Sequence, residues 1–421
     1  MFRALSTRFP RSSLKYFKAP LRSFSIHEHS SAELFEKNGI AVPHGIVATT
    51  PEQAFQAAQS IGGEVVVKAQ VLAGGRGKGH FKNNFQGGVH VAKTPEEARD
   101  LASKMINQVL VTKQTGEEGK PCNKVFVVEK ESVKHEYYFA ILMDRASNGP
   151  AIIACSSGGM DIEGVAARDP SAIIKLPVNI NTGLSKADAE ALAIKLGFQE
   201  SNVPQAVTLM TKLYELFIKT DATQIEINPL AETTDGKVFC MDAKLNLDDN
   251  AAYRQQELYS LVDESQVNPK ELEAKKWGLN YVGLSGDIGC IVNGAGLAMS
   301  TMDIINLYGG SPANFMDLGG GATEESIFQA IRLVVSDPNV NSILVNIFGG
   351  IIRCDMVAQA IVDAAKKLEI KIPIVVRLRG TNVEKGQEIL KNSGISTYPA
   401  YDIGTAVSKV VALNAEYKKS H

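Results

Sequence analysis

The sequence predicts two domains in tandem, an α+β domain followed by a parallel α/β domain, and three observations carry this expectation. The chain has 421 residues, against about 100–200 for a usual domain. Its C-terminal third alternates short β-branched runs with helical stretches, the mark of βαβ units around a sheet covered on both faces. The middle of the chain mixes strands and helices without strict alternation. Hydrophobic residues make up 44% and charged residues 21%, enough to bury a substantial core and too apolar for a disordered chain. The apolar runs all fall short of the roughly 18 residues that cross a bilayer.

The first segment stands apart. Arg3, Arg8, Arg11, Lys15, Lys18 and Arg22 precede the first acid, Glu28. An acid-free stretch rich in Arg and Ser has the composition of a transit peptide. Arg22-Ser23-Phe24-Ser25 resembles a mitochondrial processing site cleaved after Phe24. The expectation is a leader over 1–24 and a mature protein in the mitochondrial matrix. Removing those six cations from the 44 leaves 38 basic residues against 46 acidic ones, a net of −8. A nucleic-acid partner would call for a basic footprint instead.

In the α+β domain, strands are expected over 65–71, 124–129, 137–143, 151–155, 224–227 and 237–242, with helices over 51–61, 95–107, 186–196 and 204–220. A polar segment over 248–276 reads as the linker, with the domain boundary near 265, giving domains 25–265 and 266–421. In the α/β domain, strands over 288–292, 314–318, 342–348, 373–378 and 396–399 alternate with helices. These helices cover 297–307, 323–335, 352–368, a stretch ending at 391, and 405–417. Thr381-x-x-Glu384 reads as a capping box for the fourth. Several strands end in glycine turns that enter helices, where an open parallel sheet places its ligands. The five cysteines are scattered, without C-x-x-C, and read as small core residues.

Four motifs carry chemistry. Val65-Val66-Val67-Lys68 delivers a lysine from a β-branched strand into the loop Gly74-Gly75-Arg76-Gly77-Lys78-Gly79, where glycine amides and cations suit a phosphate. It fits neither the P-loop nor the dinucleotide fingerprint. Ile225-Glu226-Ile227-Asn228-Pro229 and Met241-Asp242-Ala243-Lys244 flank a turn at Asp235-Gly236. Folded as a hairpin, they bring Asn228 and Asp242 together as an oxygen pair for Mg²⁺. A solvated turn accounts for the same spacing equally well. The third and fourth, Val292-Asn293-Gly294-Ala295-Gly296 and Phe348-Gly349-Gly350-Ile351-Ile352-Arg353, are strand-to-helix turns that offer amides to an anion. The seven histidines show no metal-ligand spacing and no nucleophile stands beside a base. Such a chain holds a nucleotide and an anion but shows no covalent catalyst of its own.

The runs KAQVLAGGRGKG from Lys68, IEINPL from Ile225, VNGAGLAM from Val292 and NIFGGIIRCD from Asn346 together resemble the β-subunit family of succinyl-CoA synthetase (succinate–CoA ligase). That resemblance covers nearly the whole chain after the leader. It implies an N-terminal ATP-grasp domain of two subdomains and a flavodoxin-like C-terminal domain. It also implies a separate α subunit that carries the phosphorylated histidine and most of the CoA site, paired as a heterodimer or as two such pairs. Position by position, it implies Lys68, Gly75, Arg76 and Gly77 on the nucleotide phosphates, and Glu129 and Glu136 toward the ribose or adenine. It implies Asn228 and Asp242 on Mg²⁺, Glu226 as the carboxylate that orients the partner's histidine, and Asn293 with Gly350, Ile351 and Ile352 at the succinate and phosphate site. Ile40-Ala41-Val42-Pro43 and the KAQVLAGGRGKG run look like the ATP-type rather than the GTP-type subunit, so ATP/ADP is the expected nucleotide. Malate–CoA ligase β subunits share these motifs and remain an alternative. Two departures, His29 for the family's usual Tyr and Ser285-Gly286-Asp287 for its Asp-Gly-Asn, are expected to touch no residue with a role.

Overall fold

A computed structural model describes residues 23–159 and 162–420. The expected leader therefore lies outside the described residues except for Ser23 and Phe24. These two open a strand that pairs with 247–248, and the Phe24 ring lies 4.1 Å from that of Tyr259. The described residues form two compact units, one ending at Gln266 and the other beginning at Val267. Among them, no helix is long and apolar enough to cross a membrane.

The strands of the first unit are β1 (Ser23–Ile26), β2 (Gly45–Ala48), β3 (Val65–Ala69), β4 (His80–Phe81), β5 (Val89–Ala92), β6 (Gln108–Val111), β7 (Lys120–Cys122) and β8 (Val125–Glu129). They continue as β9 (Val133–Asp144), β10 (Gly149–Cys155), β11 (Ile174–Pro177), β12 (Ala222–Thr233), β13 (Val238–Cys240) and β14 (Ala243–Asp248). An antiparallel sheet in the order β2-β8-β3-β5 and a small sheet β4-β6-β7 surround one core that includes Val65, Val67, Phe81, Met105 and Leu110. The helices Pro51–Ile61 and Pro95–Met105 cover it. Each starts at a threonine, Thr50 or Thr94, whose hydroxyl accepts the amide two positions inside the helix from the proline that follows, so one otherwise orphaned donor is satisfied.

The larger sheet runs β1-β14-β12-β9-β10-β11, with β13 folded back on β12. Its strands alternate. Tyr137, Phe139, Ile141, Ile225, Ile227, Leu245 and Leu247 point into a core closed by the helices Lys186–Leu196 and Val203–Lys219. Burying each such side chain contributes about 1.5–3 kcal/mol. The opposite face, by the period of two, presents Gln224, Glu226 and Asn228.

The second unit holds β15 (Asn280–Gly283), β16 (Ile288–Val292), β17 (Asn314–Asp317), β18 (Ser342–Gly349), β19 (Ile374–Gly380) and β20 (Thr397–Ala400). Their order is β15-β17-β16-β18-β19-β20, parallel apart from the antiparallel edge strand β15. Without that edge strand it is the flavodoxin-like order, whose strand order reverses between β16 and β18. Every residue of β16 is buried, as its apolar run requires for a strand covered on both faces. Helices Ala295–Leu307 and Ile403–Ser420 pack on one face, and Glu324–Val335 and Cys354–Lys367 on the other.

The helix Glu324–Val335 starts with a reciprocal capping box between Thr323 and Ser326. The expected box at Thr381 does not form. The helix Val383–Asn392 is instead entered from Asn382 in the left-handed region at φ 57°, without a side-chain cap. Thr381 is otherwise engaged: its amide donates to the Gly349 carbonyl at 3.1 Å and its hydroxyl to the Gly350 carbonyl at 3.1 Å.

Candidate active site

The Asp235-Gly236 turn forms the expected hairpin of β12 and β13, and its return brings the Asn228 amide to within 3.0 Å of the Asp242 carbonyl. Glu226 faces Lys244 of the neighbouring strand β14. By alternation, Glu226, Asn228, Asp242 and Lys244 share the polar face of the sheet. A ladder of side chains leads along that face to Glu226. The Ser25 hydroxyl donates to Asn246 Oδ1 at 2.5 Å, Asn246 Nδ2 to Gln224 Oε1 at 3.1 Å, and Gln224 Nε2 to Glu226 Oε2 at 2.9 Å. Polar residues held in this way fix a carboxylate's orientation.

Lys68 leaves β3 buried. Its ammonium donates to Glu28 Oε1 at 2.8 Å and to the Met241 carbonyl at 2.7 Å. Within the glycine loop Gly75, Gly77 and Lys78 are exposed, whereas Arg76 turns inward. Gly75 sits in the left-handed region at φ 75°, which starts this turn. Arg76 donates from Nη1 to Glu28 Oε2 at 2.8 Å and the Ala69 carbonyl at 2.9 Å, and from Nη2 to Asp242 Oδ2 at 2.7 Å.

The result is a neutral chain of alternating charge, Lys68–Glu28–Arg76–Asp242. Burial would push the Glu28 carboxyl up, but the two cations outweigh it and hold it at about 2. Burial raises Asp242, whose pull toward Arg76 is countered by the nearby Glu28 charge. Arg76 stays firmly protonated: burial opposes its charge, and Asp242 and Glu28 on either side more than restore it.

Asn228 Oδ1 accepts the Gly159 amide at 2.7 Å. Gly159, at φ 66°, also gives room to Glu136: a Cβ there would stand 2.2 Å from Glu136 Oε2. Thus Glu136 and Asn228 meet at one glycine, in the pair Gly158-Gly159 that sequence reasoning passed over. Glu129 ends β8 opposite Val65 and is exposed. Among the described residues no group of three His, Cys, Asp or Glu is placed to hold a metal ion. A metal here would rely on the Asp242 carboxylate, 37% exposed, the Asn228 amide oxygen and a substrate. That all-oxygen, two-ligand set fits Mg²⁺, which retains waters and substrate phosphates.

In the second unit Asn293 spans the switch point between β16 and β18. Its Nδ2 donates to the Phe348 carbonyl at 2.9 Å and its Oδ1 accepts the Phe348 amide at 2.8 Å. Gly350 and Ile351 are exposed beyond it, Ile351 by 88%, while Ile352 is buried. Of the turn amides expected to face an anion, that of Gly294 has an internal acceptor: Asp317 Oδ1 takes it at 2.6 Å, together with the Gly319 amide at 2.8 Å.

Sequence reasoning missed Asp317 and Glu28. Glu28, next to the His29 departure, was given no role, and it touches both Lys68 and Arg76. All five cysteines are free and buried. Burial pushes the Cys122 thiol up to about 11, so it is not a nucleophile.

Comparison with known proteins defines the class first. An ATP-grasp domain is matched over residues 25–232 and a CoA-ligase domain over 291–411, which makes this an ATP-grasp CoA-ligase chain. ATP citrate lyase from Methanothrix soehngenii, solved with citrate and coenzyme A, superposes with a TM-score of 0.68 over 94% of this chain and 100% of its own, at 19% identity, a likeness of fold alone. The hydrogenosomal β subunit of succinate–CoA ligase [ADP-forming] from Neocallimastix frontalis is 52% identical, covering 94% of this chain and 91% of its own. The mitochondrial β subunits of Columba livia, 52% identical over 93% of this chain and 95% of theirs, and of Saccharomyces cerevisiae, 50% identical over 93% of both, carry the same name. The chain belongs to the succinate–CoA ligase [ADP-forming] β-subunit family.

Proposed function

We propose that this chain is the nucleotide-handling subunit of a heteromeric ligase that interconverts succinate, CoA and ATP with succinyl-CoA, ADP and phosphate, the succinyl-CoA step of the tricarboxylic acid cycle. The observation that supports this most directly is the convergence of Lys68, Arg76, Asp242, Asn228 and Glu226 on one polar face. No nucleophile stands among them. A phosphoryl group handled there passes to a residue of another chain, the histidine of an α subunit, which also supplies most of the CoA site. The pair works as an αβ unit in the mitochondrial matrix, after loss of 1–24. Residues 25–265 form the nucleotide domain and 266–421 the CoA-ligase domain.

Lys68 and Arg76 neutralise the polyphosphate, and Gly75 and Gly77, exposed on the loop, let its backbone approach. Glu129 and Glu136 hold the ribose and adenine side. Asn228 and Asp242 hold Mg²⁺, which supplies charge neutralisation in phosphoryl transfer. Glu226, oriented through Gln224, fixes the incoming imidazole and favours its cationic form, as a carboxylate does beside a working histidine. In the second domain Asn293 fixes the Phe348 backbone, and the exposed Gly350-Ile351 turn, closed by Ile352, offers amides to a carboxylate or phosphate.

The chain from Ser25, alone and co-expressed with the α subunit, tests this. Thioester formation from succinate and CoA is followed with ATP, with GTP, and with malate for succinate. Activity only in the co-expressed sample, with ATP and succinate, is expected. Activity of this chain alone overturns the heteromeric reading, and turnover of malate in preference to succinate reassigns the substrate.

A further inference from the structure

The two cations assigned to the nucleotide phosphates share one anchor. Glu28, at the first position of the helix Glu28–Lys37 and only 8% exposed, spends both oxygens on them. Oε1 accepts from Lys68 Nζ at 2.8 Å; Oε2 accepts from Arg76 Nη1 at 2.8 Å and from Gln70 Nε2 at 3.3 Å. The anchor is itself held on both sides. His27 Nε2 lies 2.7 Å from Asp263 Oδ2, a carboxylate that also meets Lys124 at 3.3 Å, and the His29 amide donates to Gln70 Oε1 at 3.1 Å. A buried carboxylate is costly to desolvate and a poor way merely to hold a helix to a sheet.

Its value lies in the donors it leaves. Lys68 spends two of its three N–H groups on Glu28 and the Met241 carbonyl, which aims the third. Arg76 is fixed by Glu28, the Ala69 carbonyl and Asp242. If Asp242 turns to a cation, Glu28 and the Ala69 carbonyl still hold the guanidinium over the loop.

We propose that Glu28 is a positioning residue for phosphoryl transfer: it touches no nucleotide but holds the Lys68 ammonium and the Arg76 guanidinium in the orientation that transfer requires. This rests on the reading of Lys68 and Arg76 as phosphate contacts. Groups oriented in advance act on the transition state more than on ground-state binding. The Glu28 charge also competes with phosphates for the same cations, so removing it does not weaken nucleotide binding. The signature is a fall in transfer rate without a fall in affinity.

The test uses Glu28→Gln and Glu28→Asp, each assembled with the α subunit. Mg·ADP binding is measured by calorimetry, and single-turnover phosphorylation of the α subunit from labelled ATP by rapid quench. Glu28→Gln is expected to bind Mg·ADP as tightly as wild type or more so and to transfer at least about tenfold more slowly, with part of the rate restored in Glu28→Asp. Should Glu28→Gln not assemble, Glu28→Asp carries the same comparison, because it keeps the charge and withdraws it by one methylene. A wild-type complex that binds no Mg·ADP overturns the nucleotide-site reading and this proposal with it. Binding by wild type together with wild-type transfer rates in the variants overturns the positioning role alone. A parallel loss of binding and rate, equal in both variants, marks Glu28 as structural and overturns it as well.

Discussion

Asp242 stands between two partners, with Oδ2 given to Arg76 at 2.7 Å while its backbone carbonyl receives the Asn228 amide at 3.0 Å. Asp242→Asn keeps the shape and removes the charge that would hold a divalent ion. It should leave the chain folded and slow α-subunit phosphorylation by about two orders of magnitude, most of all at limiting Mg²⁺. An unchanged dependence of rate on Mg²⁺ would remove the metal assignment. Glu226→Gln should slow transfer at unchanged nucleotide affinity, and a fall in affinity at constant rate would assign Glu226 to the nucleotide instead. Glu28 sets a pH dependence as well. Its folded value, about 2 against an ordinary 4.5, lies below the unfolded one. Its contribution is thus fully present above about pH 4.5 and lost as pH falls toward 2. Urea unfolding of wild type and Glu28→Gln at pH 7, 5 and 3 (about 3 being inside that window) should show the gap between them closing with acid, and a constant gap would contradict the ion-pair account. Lys68, Asn228 and Asp242 were legible as candidates because each sits in a short run with its own strand or turn signal. Glu28 was not, since its partners lie 40 and 48 residues away and no local pattern reports a pairing across that distance.

Elements were legible where local chemistry and tertiary packing agree. The helices Pro51–Ile61 and Lys186–Leu196 occur at the expected residues because a proline or serine start signal and a glycine just past the end coincide with an apolar stripe. The strand Ile288–Val292 does so because its apolar run is bounded by glycine turns. The two-residue β4 and three-residue β7 carry no period to read, and β1 hides within the expected end of the leader. Thr381 shows how a local signal loses. Its capping potential is real, but the bonds it makes to Gly349 and Gly350 close the β18–β19 end beside the candidate substrate turn. That closure depends on Gly380, at φ 101°, where a Cβ would stand 1.8 Å from the Gly349 carbonyl oxygen. Neither backbone can yield there without breaking the ladder from Gly349 to Gly380. Gly380→Ala should therefore destabilise the second unit by more than about 2 kcal/mol. The urea midpoint checks it; a shift below about a quarter of that would mean that the turn relaxes without cost.

At the scale of the whole molecule, the cores divide as the contacts do. The first unit builds its cores from residues between Ile26 and Leu258, the second from residues between Ala274 and Leu413. Two-domain organisation was legible from length and from the change in strand–helix alternation, both of which follow from how each sheet buries its faces. The groups proposed for the nucleotide and its metal, Lys68, Arg76, Asn228 and Asp242, all belong to the first unit. A ligand that binds only the folded first unit stabilises that unit alone, by about 2.7 kcal/mol at a hundredfold excess over its dissociation constant. For a unit of this size that raises its melting temperature by roughly 5–10 °C. Calorimetry of the chain is therefore expected to resolve two transitions, of which Mg·ADP moves one. Asp242→Asn should abolish the movement at limiting Mg²⁺ while leaving both transitions in place. Gly380→Ala should lower the transition that Mg·ADP does not move. If a single transition shifts as a whole with Mg·ADP, the two units unfold as one and the stabilising energy is shared. If both transitions move separately, nucleotide contacts extend into the second unit, and Asn293 and the Gly350 turn become the first positions to examine for them.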